Sequence, residues 1–348
     1  MLLGKREVGD SCPPLVVAEI GINHGGDIET ALNMVYQAHL SGCEAIKHQT
    51  HFVEDEMTSE ARMVHPPNAS ESIWDVINKC SLSREEEVRL KCYTEELGML
   101  YLSTPFSRAA ADFLHSIGVC GYKIGSGECN HLPLIRHVAK FGQPMIVSTG
   151  MHSIEEIMPT VHILEEESVQ FALLECTNVY PCPPAQVSLS GISELRTAFP
   201  KAIVGFSDHA IGPEMSLAAV ACGAKIIERH FTDSRYRTGP DISCSMDPTE
   251  LKYIIDRSRE IALALVSRKK RTTGEQAVYA FARSSVVAER DLEAGRILSE
   301  CDIWARRPGN GEISVDHFYD VVGKRLVHSV KRNQQLRWQD LENSDELQ

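Results

Sequence analysis

Eight short apolar runs alternate with helical patterns between residue 15 and about residue 266 of this chain. Nearly continuous apolar strands separated by helices are typical of a parallel sheet covered on both faces, and eight such units can close into a barrel without a free edge. The pattern therefore predicts an α/β protein built as a (β/α)8 TIM barrel, with an open doubly wound sheet as the alternative. The runs lie at residues 15–20, 43–48, 99–103, 121–124, 144–148, 169–174, 202–206 and 224–227.

Polar and charged residues collect at the carboxyl ends of nearly all these runs. A barrel keeps its active site at the rim formed by those ends, and charged groups at several successive strand ends are costly to bury without a charged ligand. We therefore expect an enzyme. The residues at the strand ends are Glu19, Lys47, Gln49, Thr104, Lys123, Ser126, Glu128, Ser148, Thr149, Asn178, Ser207, His209, Glu228 and His230.

Two histidines end consecutive units of the pattern. His209 follows the seventh run and His230 follows the eighth. Neighbouring parallel strands bring such side chains to the same rim, where they can share a divalent metal ion. Two imidazoles leave coordination positions open for substrate oxygens and water, which favours Mn²⁺, Mg²⁺ or Co²⁺ over a closed zinc site.

Two lysines at strand ends indicate an anion site. Lys47 and Lys123, with the glycine-flanked turn at residues 125–128, supply ammonium groups and backbone N–H donors for a phosphate. A phosphorylated substrate is therefore expected. A lysine that forms a Schiff base, as in a metal-free aldolase, is the rival interpretation, and the paired histidines count against it.

Three carboxylates are candidates for acid–base work, although each is also a suitable partner for a lysine. They are Glu19, Glu128 and Asp241.

The composition excludes several other classes of protein. The net charge of −13 argues against nucleic-acid binding, and the one dense basic run, at residues 268–271, is interpreted as solvated. The eleven cysteines form no Cys-x-x-Cys pair, and the N-terminus lacks the apolar core of a signal peptide. We expect free thiols and a cytoplasmic location. No apolar stretch approaches the roughly 20 residues needed to span a bilayer.

The connection after the second run, at residues 51–83, is unusually long. Residues 53–56 and 66–68 predict turns for part of it. Long loops at a barrel rim are usually lids or pocket walls, and a disordered surface insert is the alternative.

The pattern changes after the barrel. We predict a catalytic barrel at residues 1–266, a linker at 267–282 and a small, irregular β-rich domain at 283–348. Within the small domain the segment 291–303 aligns with 329–341.

The repeat aligns Gly295 with Asn333, Leu298 with Leu336, and Asp302 with Asp340. Glycine and asparagine both tolerate a left-handed backbone, so the repeat predicts that the same turn is used twice.

Seven segments of the chain resemble the bacterial N-acetylneuraminate (sialic acid) synthases, nearly from end to end and in the same order. The resemblance implies a (β/α)8 barrel followed by an antifreeze-like (SAF) domain, in a domain-swapped homodimer. It also implies the condensation of phosphoenolpyruvate with N-acetylmannosamine and water to give N-acetylneuraminate and phosphate. The segments are Glu19-Ile20-Gly21-Ile22-Asn23-His24, Ile46-Lys47-His48-Gln49-Thr50-His51, Ser103-Thr104-Pro105-Phe106-Ser107-Arg108, Lys123-Ile124-Gly125-Ser126-Gly127-Glu128, Ser207-Asp208-His209, Glu228-Arg229-His230-Phe231 and Arg307-Pro308-Gly309-Asn310-Gly311.

The resemblance also implies roles for particular residues. His209 and His230 would hold the catalytic metal, Glu19 and Glu128 would lie beside the reacting carbons, and Arg307 would reach the N-acetyl group from the partner chain. The residues implied around phosphoenolpyruvate are Lys47, Thr104, Lys123, Ser126, Asn178 and Ser207, and those implied around the sugar are Gln49, Tyr180 and Asp241.

Two segments on the sugar side depart from the family pattern, at residues 181–184 and 210–215. A legionaminate-type or other nonulosonate synthase acting on a related 2-acetamido hexose is therefore the alternative activity. A carbohydrate- or ice-binding protein that uses the barrel as a scaffold is the alternative of a different class, and the metal and phosphate residues count against it.

Overall fold

The computed structural model describes residues 1–66, 70–266 and 269–342. The chain divides into two compact units, Met1–Ser267 and Arg268–Gln348. Four sequence predictions fall partly outside the described residues: the turn at 66–68, the linker at 267–282, the basic run at 268–271 and the end of the small domain.

The first unit is a closed barrel of eight parallel strands. The eighth strand pairs with the first, in a register that sets Ile226 opposite Leu15 and His230 opposite Glu19. Closure confirms the predicted barrel and excludes the open sheet. The strands are β1 Leu15–Gly21, β2 Ala45–Thr50, β3 Leu100–Pro105, β4 Tyr122–Ile124, β5 Met145–Ser148, β6 Phe171–Cys176, β7 Ile203–Asp208 and β8 Ile226–His230.

Alternate residues of a barrel strand point to opposite faces, and β1 shows this clearly. Val16, Ala18 and Ile20 belong to the large cluster of apolar side chains that includes residues of the surrounding helices. Leu15 and Val17 belong instead to a smaller cluster drawn from several strands. The barrel is therefore packed on both surfaces, which explains why its strands read as nearly continuous apolar runs.

Helices cover the outer surface of the barrel. Ser83 and Ser153 each begin a helix with a capping box, in which the serine and a glutamate three residues later bond each other's backbone N–H groups. The helices are α1 Ile28–Leu40, α2 Val53–Glu56, α3 Ile73–Cys80, α4 Arg84–Glu96, α5 Arg108–Ile117, α6 Leu132–Ala139, α7 Ile154–Glu166, α8 Ser190–Ala198, α9 Glu214–Ala221 and α10 Pro248–Leu265. None of the helices in the described part of the chain combines the length and apolar character needed to cross a membrane.

The long connection after β2 contains three short helical segments in its described residues. They are α2, a 3-10 turn at Ser59–Met63 and α3. Val53, Trp74 and Ile77 pack with Ile22 in a small apolar cluster of their own. The turn predicted at residues 53–56 was wrong, because Val53 is anchored in this cluster and the segment winds into one helical turn.

The second unit is small and has its own apolar core. Two strands, β9 Ser285–Ala288 and β10 Ile303–Arg306, pair antiparallel, and the helices are α11 Gln276–Ala282 and α12 Phe318–Val321. Gly295 and Asn333 both have positive φ, at 82° and 67°, which confirms that the repeat uses the same left-handed turn twice.

Candidate active site

A cavity of about 260 Å³ lies at the carboxyl ends of the barrel strands. Every predicted site residue of the barrel lines it except Glu19, whose carboxylate contacts two of the lining side chains. Arg307 belongs to the second unit, where it is exposed. The lining residues are Lys47, Gln49, Thr104, Phe106, Lys123, Gly125, Ser126, Gly127, Glu128, Ser148, Met151, Cys176, Asn178, Tyr180, Ser207, His209, Glu228, His230 and Asp241.

The alternation of the strands explains why polar groups gather there. On β1 the inward positions run from Leu15 through Val17 to Glu19, so a carboxylate follows two apolar residues toward the rim. On β8 the same spacing leads from Ile226 through Glu228 to His230. The lower barrel is therefore apolar, and its upper layer carries the charged groups.

The lysines and carboxylates of this upper layer form a buried network. Lys47 Nζ lies 2.8 Å from Glu19 Oε2 and 3.3 Å from Glu228 Oε1. Lys123 Nζ lies 3.6 Å from the same Glu228 oxygen and donates a 2.7 Å hydrogen bond to Ser148 Oγ. Paired charges at these strand ends make burial tolerable, and they place two ammonium groups beside the cavity.

Burial shapes the ionisation of this network. Burial lowers the pKa of Lys47 to about 8, although the negative charge of Glu228 raises it in part. Burial alone would raise the pKa of Glu228, but Lys123 and Lys47 outweigh it and lower the pKa. Glu228 is therefore the anion that both lysines share, and its charge raises the pKa of Lys47 against the effect of burial.

Sequence reasoning placed Glu228 at the rim but gave it no role. The signal that could have found it is its position two residues before His230, on the inward-facing side of the same strand. Phe106, Met151 and Cys176 also line the cavity without having been predicted.

His209 and His230 lie side by side, with ring centroids 5.4 Å apart. His209 Nδ1 donates to the carbonyl oxygen of Thr177 at 2.8 Å, which leaves Nε2 with its lone pair. His230 Nδ1 is buried without a hydrogen-bond partner and lies 3.8 Å from Asp241 Oδ2. Burial, reinforced for His209 by His230 and for His230 by Lys47, lowers the pKa of each imidazole to about 3.

These observations fit an open metal site. Both rings are neutral at ordinary pH, and a carbonyl oxygen that fixes the tautomer of a histidine is typical of metal-binding histidines. Among the described residues no group of three or more His, Cys, Asp or Glu side chains is arranged to hold a metal ion. The protein itself therefore offers two imidazoles, with Asp241 close to one of them.

Two carboxyl groups on the cavity wall hold protons unusually well. Burial, and next the charge of Glu56, raises the pKa of Glu128 to about 7. Burial also raises the pKa of Asp241, although His209 and Lys47 oppose it. A carboxyl group with a pKa near 7 can both give and take a proton at neutral pH.

The fold and the cavity define a (β/α)8-barrel enzyme whose site combines a lysine pair, a histidine pair and titratable carboxyl groups. The chain belongs to the NeuB family, whose model matches residues 34–270, and residues 283–342 match the SAF domain. The SAF match confirms the predicted class of the small domain.

Similar proteins cover nearly the whole chain. The N,N'-diacetyllegionaminic acid synthase of Campylobacter jejuni is 34% identical over 331 residues, which cover 93% of this chain and 98% of that protein. The human N-acetylneuraminate-9-phosphate synthase is 31% identical, over 97% of this chain and 95% of that protein. The crystal structure of the N-acetylneuraminic acid synthetase of Leptospira borgpetersenii, 30% identical, covers 80% of this chain and 94% of that chain with a TM-score of 0.74.

Proposed function

We propose that this protein is a synthase that condenses phosphoenolpyruvate with the open-chain form of N-acetylmannosamine and water, giving N-acetylneuraminate and phosphate. The observation that carries the proposal is the presence of the lysine pair and the histidine pair on the walls of one cavity. The first pair suits a phosphate and a carboxylate, and the second suits a metal that binds the sugar aldehyde. The synthases among its relatives support a synthase activity for this chain.

The phosphate end of the cavity is assigned to Lys47 and Lys123. Hydroxyl and amide groups of Thr104, Ser126, Asn178 and Ser207 complete this end of the proposed site. Phosphate gains negative charge as its C–O bond to C2 breaks after water has added to that carbon, so ammonium and hydroxyl donors stabilise the departing group more than the bound ester.

A divalent cation, most suitably Mn²⁺ with Mg²⁺ or Co²⁺ as alternatives, belongs to the proposal. His209 Nε2 and an imidazole nitrogen of His230 would hold it, and it would supply Lewis-acid polarisation of the aldehyde oxygen. The tautomer fixed by Thr177 leaves the lone pair of His209 free for this purpose.

The carboxyl groups are assigned to the reacting carbons and the sugar. Glu128, with its pKa near 7, can hold or release a proton beside the carbon that water attacks. The ammonium group of Lys47 lies 2.8 Å from the carboxylate of Glu19 and holds it in place. We assign this carboxylate to the reacting carbons as well. Gln49, Tyr180 and Asp241 are assigned to the sugar.

A legionaminate-type synthase is the second candidate. The diacetyllegionaminic acid synthases among the relatives, at 34% identity, favour it. So do the departures at residues 181–184 and 210–215, where Cys182 donates its backbone N–H to the carbonyl oxygen of His209 at 2.9 Å. This contact joins the first departing segment to His209, and the second segment begins at the next residue, Ala210, so a change in either can alter the sugar pocket.

The domain-swapped homodimer and the cytoplasmic location are part of the same proposal. In such a dimer Arg307 of the partner subunit would bind the N-acetyl group of the sugar. Arg307 is exposed within its own unit, which leaves its guanidinium available for this contact.

A substrate panel tests the activity directly. Phosphate release from phosphoenolpyruvate would be measured with N-acetylmannosamine, its 6-phosphate and a 2,4-diacetamido hexose, with EDTA and with Mn²⁺ added back. We expect N-acetylmannosamine to give the highest kcat/KM, and we expect turnover to be lost in EDTA and in His209→Ala.

Highest kcat/KM with the diacetamido sugar would select the legionaminate-type activity. An unchanged rate in His209→Ala would overturn the role of that histidine. Failure of every 2-acetamido hexose with metal present would overturn the synthase and leave the non-catalytic binding protein as the alternative.

A further inference from the structure

A line of polar contacts leads from Glu19 away from the lysine pair. Gln49 Nε2 donates to Glu19 Oε1 at 2.7 Å. Gln49 Oε1 lies 3.0 Å from His51 Nε2, and His51 Nδ1 lies 2.8 Å from Glu56 Oε2. Only Gln49 of these four residues lines the cavity directly.

His51 is held rigidly in this line. Its side chain is 2% exposed, and its ring stacks on Phe106 with centroids 4.3 Å apart and planes 17° apart. Phe106 itself lines the cavity. Since the contacts of a buried side chain are weakly screened and its rotamers are restricted, His51 can hold the Gln49 amide in the orientation that Glu19 selects.

The orientation follows from what each group can donate. Glu19 Oε2 is paired with the ammonium group of Lys47, and a carboxylate only accepts hydrogen bonds, so the amide nitrogen of Gln49 faces Glu19 Oε1. The amide oxygen then faces His51, which must donate from Nε2. The remaining nitrogen of His51, Nδ1, lies 2.8 Å from Glu56 Oε2.

We propose that His51, backed by Glu56 and stacked on Phe106, is a positioning residue that fixes the orientation of the Gln49 amide toward the sugar. One N–H of Gln49 is committed to Glu19, and the second N–H is left for a sugar oxygen in the cavity. This inference rests on the proposed function for its kinetic consequences, although the amide orientation itself can be observed without turnover.

His51→Phe tests the proposal, because phenylalanine keeps a ring to stack on Phe106 and removes both hydrogen bonds. One neutral hydrogen bond is worth up to roughly tenfold in binding, so we expect kcat/KM for the sugar to fall about tenfold. The KM for phosphoenolpyruvate should stay within about twofold, because that substrate is assigned to the lysine end. Glu56→Gln should produce a smaller change of the same kind.

The matched control is His115→Phe. His115 stacks on Phe141 in the same way, with centroids 4.1 Å apart, and does not line the cavity. We expect wild-type kinetics for it. An unchanged kcat/KM for the sugar in His51→Phe would overturn the proposal, and so would an equal loss for both substrates accompanied by a lowered Tm.

An NMR measurement keeps the inference separate from the proposed activity. Protein labelled with ¹⁵N-glutamine gives a side-chain amide signal for Gln49 that is assigned by its loss in Gln49→Glu. We expect His51→Phe to shift this signal and His115→Phe to leave it in place. An unmoved signal would overturn the positioning role, whether or not any sugar is turned over.

Discussion

The carboxylate of Glu228 lies 3.3 Å from the ammonium group of Lys47 and 3.6 Å from that of Lys123. One buried carboxylate therefore forms ion pairs with two lysines that come from different strands. Without it, two ammonium groups would face each other in a site shielded from water, and repulsion together with burial would favour the loss of a proton. The anion site that we propose depends on this carboxylate.

The first prediction concerns the pH dependence of substrate binding. The pKa of Lys47 is about 8, so the KM for phosphoenolpyruvate should rise as the pH passes that value and the ammonium charge is lost. Glu228→Gln removes the charge that raises this pKa, so the increase in KM should begin at a lower pH. Steady-state kinetics between about pH 6 and pH 9 measure this.

Glu165→Gln is the control, because Glu165 forms an exposed ion pair with Lys201 at 3.2 Å. Its profile should match that of the wild type. The same pH dependence in Glu228→Gln as in the wild type would show that Glu228 does not set the charge of Lys47.

The second prediction concerns metal binding itself, without turnover. We expect the wild-type protein to bind Mn²⁺, and His209→Ala and His230→Ala each to weaken binding by more than about tenfold, because each removes one of the two imidazole ligands that we propose. Electron paramagnetic resonance of free Mn²⁺ measures the bound fraction. His137→Ala serves as the control, since His137 pairs with Asp112 outside the cavity. Equal affinity in all four proteins would contradict the assigned site.

Gly150 gives the third prediction. A Cβ at this position would lie 1.9 Å from Asn178 Oδ1 and 2.9 Å from Ser126 Oγ. Gly150→Ala must therefore displace two groups assigned to phosphoenolpyruvate, and we expect its kcat/KM to fall roughly tenfold or more. Gly9→Ala is the control, because a Cβ there meets nothing within 4 Å. Wild-type kinetics in Gly150→Ala would remove Asn178 and Ser126 from the proposed site.

The fourth prediction concerns stability. Burial, and next the charge of Glu194, raises the pKa of Glu175 from 4.5 to about 7. Between these values the folded protein keeps a proton that the unfolded chain has lost, so this group makes the free energy of unfolding fall as the pH rises through that window. The effect is at most about 3 kcal/mol, at about 1.4 kcal/mol per pKa unit.

Glu175→Gln removes this contribution. We expect its stability relative to the wild type to increase between about pH 5 and pH 8 in urea unfolding, while the exposed control Glu96→Gln follows the wild type. A constant difference between Glu175→Gln and the wild type across that range would mean that Glu175 is ionised in the folded protein already at the acidic end.

The fifth prediction tests the swapped dimer. Arg307→Ala and His209→Ala chains should each be inactive alone, and a mixed dimer should regain part of the activity, because one of its two sites would carry neither substitution. Activity is measured after the two chains are unfolded and refolded together. No recovery in a verified mixed dimer would show that each site is completed by its own chain.

Much of the fold follows from local patterns in the sequence. The apolar runs predict the eight strands because a strand buried on both faces needs apolar side chains at every position. The repeated turn is equally local, since Gly295 and Asn333 are residue types that accept a positive φ. The wrong prediction at residues 53–56 has a non-local cause. Val53 packs with Trp74 and Ile77, and this packing overrides the local preference for a turn.

The sequence predicted most of the polar side chains that line the cavity, but it did not predict their charge pairing or their pKa values. Alternation along β1 and β8 carries Glu19, Glu228 and His230 to the rim, and the sequence by itself determined that they would be there. Only the tertiary structure decided that Glu228 would contact both Lys47 and Lys123, and that Glu128 would have a pKa near 7. The physical reason is that side-chain direction repeats over two residues, whereas charge pairing and desolvation depend on how strands distant in sequence are brought together by closure of the barrel.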